Sequence, residues 1–132
     1  MAKRGLIVDD IPFVRQMIAR ILTDARYMII GEAADGNEAL EEYAKLEPDF
    51  VTMDVVMPKK NGIETCRAII EKYPTAKIIM VSALDHEQIL TDSINAGARD
   101  FLMKPFAPDD LINSVARLFN DEEEEEPKQG KK

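Results

Sequence analysis

The sequence predicts an α/β fold in which five parallel strands alternate with five helices in a doubly wound sheet. Two observations support this prediction. Short runs that are apolar on consecutive positions alternate five times with longer amphipathic stretches, as expected for strands that helices cover on both faces. No internal repeat or long low-complexity linker interrupts the alternation, so a single domain over residues 1–120 accounts for the pattern.

The predicted strands are apolar runs that are too short to be helices. They are Gly5–Val8, Tyr27–Ile30, Phe50–Met53, Ile78–Val81 and Phe101–Met103. Right-handed crossovers between successive parallel strands place helices on both faces of the sheet. Ligands of such sheets bind beyond the carboxyl ends of the strands, where the winding direction reverses. Functional residues are therefore expected at the strand ends.

The first three helices follow from periodicity and from turn residues. Helix one carries an apolar stripe at helical spacing, formed by Val14, Met17, Ile18, Ile21 and Leu22. A second helix is expected from about Asn37 to Leu46, after the Asp35-Gly36 turn. A third is expected from about Gly62 to Tyr73, where Pro74 ends it.

Helices four and five have their own terminal signals. Asp85, with Gln88 three residues later, resembles a capping box at the start of helix four, and Gly97 is a stop signal at its end. Helix five begins at Pro108, a residue favoured at the first helical position. It is predicted to bury Leu111, Val115, Leu118 and Phe119.

Composition excludes several classes of partner. A net charge of −8 without clustered Lys and Arg argues against nucleic-acid binding. No apolar run approaches the roughly 18 residues that span a bilayer, so we expect a cytoplasmic protein with no membrane partner. Cys66, the single cysteine, is interpreted as helix packing, and His86 as a surface residue. Residues 121–132 are acidic and then basic, and they are expected to form a disordered tail.

Four of the five predicted strands end at a charged or hydroxyl residue. These are the pair Asp9-Asp10, then Asp54, Ser82 and Lys104. Carboxylates that meet at one edge of an apolar sheet repel one another and have raised pKa values. A bound cation is therefore expected, and oxygen ligands without His or Cys favour a hard ion such as Mg²⁺.

Phosphoryl transfer is the chemistry that this residue set serves, because a metal ion and a lysine neutralise phosphoryl oxygens while an in-line nucleophile attacks. Asp54 stands alone at its strand end and is predicted to be the nucleophile that forms an acyl phosphate. Asp9 and Asp10 would hold the metal ion. Lys104 would pair with one phosphoryl oxygen, and the Ser82 hydroxyl would donate to another.

Four motifs of the chain resemble those of the response-regulator receiver family. They are Leu6-Ile7-Val8-Asp9-Asp10, Met53-Asp54-Val55-Val56-Met57-Pro58 with Gly62, Val81-Ser82-Ala83, and Lys104-Pro105-Phe106. They occur in the family's order and spacing, and the resemblance covers about residues 3–119. It implies a flavodoxin-like (βα)5 fold with strand order 2-1-3-4-5. The motifs look most like those of single-domain chemotaxis receivers of the CheY type.

The resemblance also implies roles for the individual residues. Asp54 would be the phosphoacceptor. Asp10 and Asp54 would bind Mg²⁺ through their side chains, Asp9 would help through water, and Val56 would offer its backbone carbonyl. A cis peptide bond is implied before Pro105, and cis bonds are far less unfavourable before proline than elsewhere.

Receivers of this family signal through the face formed by helix four, strand five and helix five. By resemblance, Ser82 is drawn toward the phosphoryl group and Phe101 then turns inward. The implied donor is a histidine kinase of the CheA type, and a flagellar motor switch protein or a phosphatase would be a further partner. The protein would be a monomeric phosphoacceptor switch that assists its own phosphorylation and dephosphorylation, not an enzyme acting on other substrates.

The chain departs from its relatives at two places. Phe101 replaces the tyrosine of many CheY proteins, so a rotamer switch would depend on packing alone, and a core phenylalanine that never switches is the alternative. Val56 and Leu84 are apolar where some relatives carry polar groups that orient the hydrolytic water. We therefore hypothesise slow self-dephosphorylation.

Three other functions compete with this one. A haloacid-dehalogenase-like phosphatase needs a second Asp two residues after the first, but Val56 follows Asp54 and Ile11 follows Asp9 at that spacing. A nucleotide-binding domain needs a Gly-rich phosphate loop, which follows none of the strands. A phosphorelay intermediate that passes the phosphoryl group to a histidine phosphotransfer protein stays open as the alternative to chemotaxis.

Overall fold

A computed structural model describes residues 2–84 and 86–120 of the protein. Strands and helices alternate throughout this part of the chain. In chain order the elements are β1 (Arg4–Val8), α1 (Pro12–Asp24), β2 (Met28–Ala33), α2 (Gly36–Leu46), β3 (Phe50–Asp54), α3 (Gly62–Lys72), β4 (Ile78–Ser82), α4 (Glu87–Asn95), β5 (Asp100–Met103) and α5 (Pro108–Leu118). None of these helices has the length and apolar character needed to cross a bilayer.

The five strands form one parallel sheet in the order β2-β1-β3-β4-β5. The predicted doubly wound fold and its strand order are therefore confirmed. The central strand is β3, which pairs with β1 on one side and with β4 on the other. In the sheet, β1 has β2 as its neighbour on one side and β3 on the other. The winding direction therefore reverses between β1 and β3, beside their carboxyl ends.

The core has two parts, one on each face of the sheet. Leu6 and Val8 of β1 point to the part that α2 and α3 cover, while Ile7 points to the part that α1 and α5 cover. All three side chains are at most 1% exposed, and burying a side chain of this kind contributes about 1.5–3 kcal/mol. This explains why the strands are apolar on consecutive positions.

β2 and α1 differ from their predicted form. β2 continues to Ala33, three residues beyond its predicted end, because its later residues pair with Leu6, Ile7 and Val8 of β1. On α1, Ile18 and Leu22 are buried as predicted, but Met17 is 38% exposed. The apolar stripe of α1 is thus narrower than the sequence predicts, since Met17 lies beside a surface cleft with Phe13.

The start of α4 also differs from the prediction. Its first turn follows His86, which makes no side-chain capping hydrogen bond, and the Gln88 amide donates to Asp92 at 2.7 Å. Asp85, the predicted cap, lies outside the described residues, as does the predicted tail at 121–132. Gly97 follows the end of the helix with a φ of 108°, a conformation that glycine adopts without strain.

The last helix is tied to the last strand by a partly buried carboxylate. Asp100, the first residue of β5, accepts hydrogen bonds from Ser114 Oγ at 2.6 Å and from Arg117 at 2.7 Å, both on α5. At the start of α5, the Asp110 carboxylate accepts from the Ala107 amide at 3.1 Å. The residues predicted to be buried here, Leu111, Val115, Leu118 and Phe119, are all buried, and Phe119 directly follows the helix.

Candidate phosphoryl-acceptor and metal site

The register of the sheet brings the predicted strand-end residues to one edge. Three pairs of opposed residues define that edge: Val8 with Met53, Asp54 with Val81, and Ser82 with Met103. Asp9 directly follows Val8, the last residue of β1, and Lys104 directly follows Met103, the last residue of β5. The edge therefore lies where the winding of the sheet reverses, as the fold class requires for a ligand site.

Three carboxylates meet at this edge. Asp9, Asp10 and Asp54 each place one oxygen so that the three atoms lie within 4.8 Å of one another. Asp9 and Asp54 are buried, with 1% and 6% exposed, while Asp10 is exposed. The site thus has two carboxylates shielded from water and one at its mouth.

A lysine supplies positive charge to this group. Lys104 Nζ lies 2.9 Å from Asp9 Oδ2 and 3.5 Å from Asp54 Oδ1. Its side chain is 20% exposed, and the peptide bond between Lys104 and Pro105 is cis. The lysine therefore donates its hydrogen bond to Asp9 and makes a longer ionic contact with Asp54.

The protonation of Asp54 is strongly affected by this environment. Burial raises the pKa of Asp54 to about 6, and the neighbouring Asp9 carboxylate contributes in the same direction. Lys104 opposes both effects but does not cancel them. A carboxyl group with a raised pKa holds a proton more readily than an ordinary aspartate does, and the repulsion between neighbouring carboxylates favours a bound cation.

Asp9 is held at each of its polar atoms. Its amide donates to Ala33 O at 3.0 Å. Its Oδ1 accepts from the Ile11 amide at 2.9 Å, and its Oδ2 accepts from Lys104. Its main-chain carbonyl accepts from the Arg15 guanidinium at 2.6 Å. The sequence did not indicate Arg15, because its contacts depend on how α1 packs beside the end of β1.

A cleft of about 340 Å³ opens above Asp54. Beyond the charged residues, its lining consists of Ile11, Val56, Ala83 and Leu84. Val56 is 56% exposed and Leu84 is 37% exposed. The mouth of the cleft is therefore apolar around a charged floor, and Ile11 is a member of this rim that the sequence did not indicate.

Asp9, Pro105 and the two predicted switch residues, Ser82 and Phe101, lie outside this lining. Ser82 is fully buried, and its Oγ accepts a hydrogen bond from the Leu84 amide at 2.9 Å. Phe101 is partly buried and packs against the core on the α4 side of the sheet, with Ile89 in the same cluster. These two residues connect the site to the α4 and β5 region.

The loop after β3 approaches Asp54 very closely. Gly62 donates its amide to Val55 O at 2.8 Å, and a Cβ atom at this position would overlap the main-chain oxygen of Asp54. Asn61 and Glu64 form a reciprocal capping box that starts α3 here. Gly62 is required because no larger residue fits against the backbone of Asp54.

The donor set at the site fits a hard divalent cation. Three carboxylate oxygens come together, two of them partly shielded from water, and no sulfur or imidazole ligand is among them. Mg²⁺ prefers one or two protein carboxylates, with the remaining positions taken by water and phosphate oxygens. An open cleft above the carboxylates leaves room for those ligands.

Comparison with known proteins identifies the family. Residues 6–116 match the response regulator receiver domain family. The chemotaxis protein CheY of Thermotoga maritima is 45% identical over 118 residues, which cover 89% of this chain and 98% of the relative. Protein CcdB of Bacillus subtilis is 48% identical over 116 residues, which cover 88% of this chain and 97% of the relative.

A solved structure shows the same architecture. The CheX-CheY-BeF3-Mg²⁺ complex from Borrelia burgdorferi contains a chain that is 37% identical and superposes with a TM-score of 0.86, covering 89% of both chains. The protein belongs to the response-regulator receiver domain family. It is closely related to the chemotaxis receivers of the CheY type.

Proposed function

We propose that this receiver domain is a phosphorylation-controlled switch in chemotaxis, with Asp54 as the residue that accepts the phosphoryl group. The observation that carries the proposal is the setting of Asp54. It lies at the end of the central strand with the Asp9 and Asp10 carboxylates beside it and Lys104 Nζ 3.5 Å away. This arrangement offers a nucleophile, a cation site and a positive side chain to one phosphoryl group.

The proposed reaction transfers a phosphoryl group from a histidine nitrogen of the kinase to a carboxylate oxygen of Asp54. A carboxylate oxygen of Asp54 attacks the phosphorus atom of a phosphohistidine on a kinase of the CheA type. The new P–O bond forms an acyl phosphate, the P–N bond breaks, and the imidazole leaves with the bonding electron pair and takes up a proton. Lys104 lies close enough to pair with a phosphoryl oxygen once the group occupies the cleft.

Mg²⁺ is the proposed cofactor, and when bound it neutralises the phosphoryl oxygens. Asp10 and Asp54 would bind it through their side chains, and Asp9 through water. Val56 would contribute its main-chain carbonyl, and it lines the same cleft as Asp10 and Asp54. The Mg²⁺ named in the complex of the Borrelia relative supports this assignment.

The proposed output surface is formed by α4, β5 and α5. Phosphorylation would draw the Ser82 hydroxyl away from the Leu84 amide, and Phe101 would then repack by apolar contacts alone. On α4, which is part of this surface, two large apolar side chains are exposed to solvent. Leu90 is 44% exposed and Ile94 is 48% exposed. Exposed apolar groups of this size mark protein-binding surfaces when they cluster.

Labelling with a small phosphodonor tests the acceptor assignment. The full chain is incubated with acetyl phosphate and Mg²⁺, and its intact mass is measured. The Asp54→Asn variant should remain unlabelled, while Asp24→Asn, which changes an exposed aspartate at the end of α1, should be labelled like the wild type. Equal labelling of wild type and Asp54→Asn would refute the assignment.

A second experiment separates chemotaxis from a phosphorelay. The protein loaded with beryllofluoride and Mg²⁺ is tested for binding to the purified flagellar switch protein of its own organism, and to a CheX-type protein, the partner named with the Borrelia relative. In parallel, the phosphorylated protein is mixed with purified histidine phosphotransfer proteins. Binding that depends on beryllofluoride supports chemotaxis. Rapid transfer to a histidine without such binding supports the relay.

A further inference from the structure

The side chain of Arg15 connects the ends of two strands beside the acidic cluster. It extends from the first turn of α1, where it is 17% exposed. One guanidinium nitrogen donates to the main-chain oxygen of Asp9 at 2.6 Å, and Nε donates to Glu32 Oε1 at 2.9 Å. Asp9 follows β1 and Glu32 belongs to β2. The guanidinium therefore bridges neighbouring strands at the edge that carries the site.

The hydrogen bond to Asp9 fixes a particular peptide group. The carbonyl that Arg15 holds belongs to the peptide that joins Asp9 to Asp10. Because a peptide group is planar, its orientation sets the direction in which the chain enters Asp10. The direction of the Asp10 side chain relative to Asp9 and Asp54 therefore depends on this contact.

The start of α1 has no side-chain capping bond to hold the turn in place. Ile11 is the N-cap residue of α1 and makes no side-chain capping bond, and Pro12, at the first helical position, has no amide hydrogen to donate. Helices usually begin with a polar cap that satisfies the free amides of the first turn. Here the turn is held by two hydrogen bonds to Asp9, one from the Ile11 amide to Oδ1 and one from the Arg15 guanidinium to the main-chain oxygen.

We propose that Arg15 is a positioning residue for the divalent-cation site, which it serves by orienting the Asp9–Asp10 peptide. Glu32 supports this role, because it holds the other side of the guanidinium and so limits the rotamers of Arg15. The inference rests on the proposed function of the site as a Mg²⁺-dependent phosphoacceptor. β2 contributes no metal ligand of its own, but through Glu32 it would help to place the ligands at the ends of β1 and β3.

The charge of Arg15 and its proposed positioning role predict opposite changes in Mg²⁺ affinity when Arg15 is replaced. A guanidinium near the site repels a divalent cation, so its loss through charge alone would strengthen Mg²⁺ binding. Loss of the hydrogen bond to Asp9 would misplace Asp10 and weaken binding. Replacement of residues that orient metal ligands typically lowers metal affinity by about 10–100-fold. The sign of the change therefore separates the two roles.

The test is a Mg²⁺ titration of the full-length protein in which binding is monitored through the backbone amide signals in NMR spectra. Arg15→Gln and Arg15→Lys should each require about tenfold more Mg²⁺ for half-saturation than the wild type. Arg20→Gln removes the same charge from an exposed position of the same helix and should leave the titration unchanged. With acetyl phosphate, the Arg15 variants should need more Mg²⁺ for half-maximal labelling but keep the labelling rate at saturating Mg²⁺.

Unchanged or tighter Mg²⁺ binding by Arg15→Gln would overturn the inference. If the Arg15 variants do not fold, Glu32→Gln measured at an ionic strength of about 1 M decides instead, because salt screens a charge effect but not a positioning effect. Weaker binding at that ionic strength supports the inference, and equal binding overturns it. A wild-type protein that binds no Mg²⁺ would refute the proposed function of the site, which is a separate result.

Discussion

The ammonium group of Lys104 donates a hydrogen bond to the Asp9 carboxylate at 2.9 Å, across 95 positions of the chain. The contact joins the end of β5 to the end of β1, strands that are separated by β3 and β4 in the sheet. In this arrangement the lysine gives its hydrogen bond to Asp9 and makes only a longer ionic contact with Asp54, the proposed acceptor. A phosphoryl group on Asp54 would offer Lys104 a stronger partner.

Replacing Lys104 by glutamine should slow phosphorylation. The substitution removes the positive charge that would stabilise the phosphoryl oxygens in the transition state, and loss of one such donor lowers a rate by about 10²–10³-fold. The measurement is the initial rate of labelling by acetyl phosphate at saturating Mg²⁺. Lys45→Gln, which changes a lysine that is 69% exposed, is the matched control. A Lys104→Gln rate within twofold of the control would contradict the proposed role.

A methyl group added at Gly62 should destabilise the protein. In Gly62→Ala the new Cβ has no space against the backbone of Asp54, and overpacking of this kind costs about 1–3 kcal/mol. Urea unfolding measures the change in the free energy of unfolding. In Gly31→Ala the nearest atom is Leu46 Cδ1 at 2.6 Å, the end of a flexible side chain, so the change should be much smaller. Similar losses in both variants would contradict the argument.

The apolar rim of the cleft should prolong the life of the acyl phosphate. Val56 and Leu84 line the cleft above Asp54 and offer no side-chain group that can orient water. Val56→Asn should therefore shorten the half-life of phosphorylated Asp54 by about tenfold or more, since positioned polar groups commonly supply such factors in proton transfer.

The half-life is measured by following the decay of the phosphorylated mass after the phosphodonor is removed. Val56→Ala reduces the apolar rim without adding a polar group and should change the half-life far less. If Val56→Asn and the wild type decay at the same rate, the hypothesis of slow self-dephosphorylation loses its basis.

The stabilising effect of Asp100 should depend on pH. Burial alone would raise the pKa of Asp100, but hydrogen bonds from Ser114 and Arg117 outweigh it and leave the pKa below its usual value. A carboxyl group with a lowered pKa in the folded state stabilises the fold above its unfolded pKa of about 3.9. That contribution is lost as the pH falls through the folded-state pKa.

Asp100→Asn should therefore lower the free energy of unfolding at pH 7, and its difference from the wild type should shrink as the pH falls below about 4. Urea unfolding across this pH range provides the measurement. Asp24→Asn, at an exposed position, should differ little from the wild type throughout. A difference that stays constant with pH would show that Asp100 acts by packing alone.

Much of the fold followed from local sequence patterns. Each strand was identified from a short apolar run, because parallel strands covered on both faces leave little room for polar residues. The polar residues at the strand ends then stood out against an apolar background. Gly97 and Pro108 marked helix ends because their backbone chemistry is local and does not depend on the rest of the fold.

The missed features depend on contacts between distant parts of the chain. Met17 fits the apolar spacing of α1, but only the packing of the helix on its neighbours shows that the stripe does not reach this residue. Arg15 lies 17 positions from Glu32, so no local pattern identifies the pair. The preference of Lys104 for Asp9 over Asp54 is likewise a matter of tenths of an ångström, which spacing in a sequence does not determine.

The central place of β3 has a consequence for the timing of the signal. Every residue of this strand is buried, and both of its edges are paired, so its amides should be among the slowest to exchange with solvent. The labile phosphoryl bond would then be attached to the part of the molecule that opens last. Its survival would be governed by water entering the cleft and by partner proteins, and not by transient local unfolding of the domain.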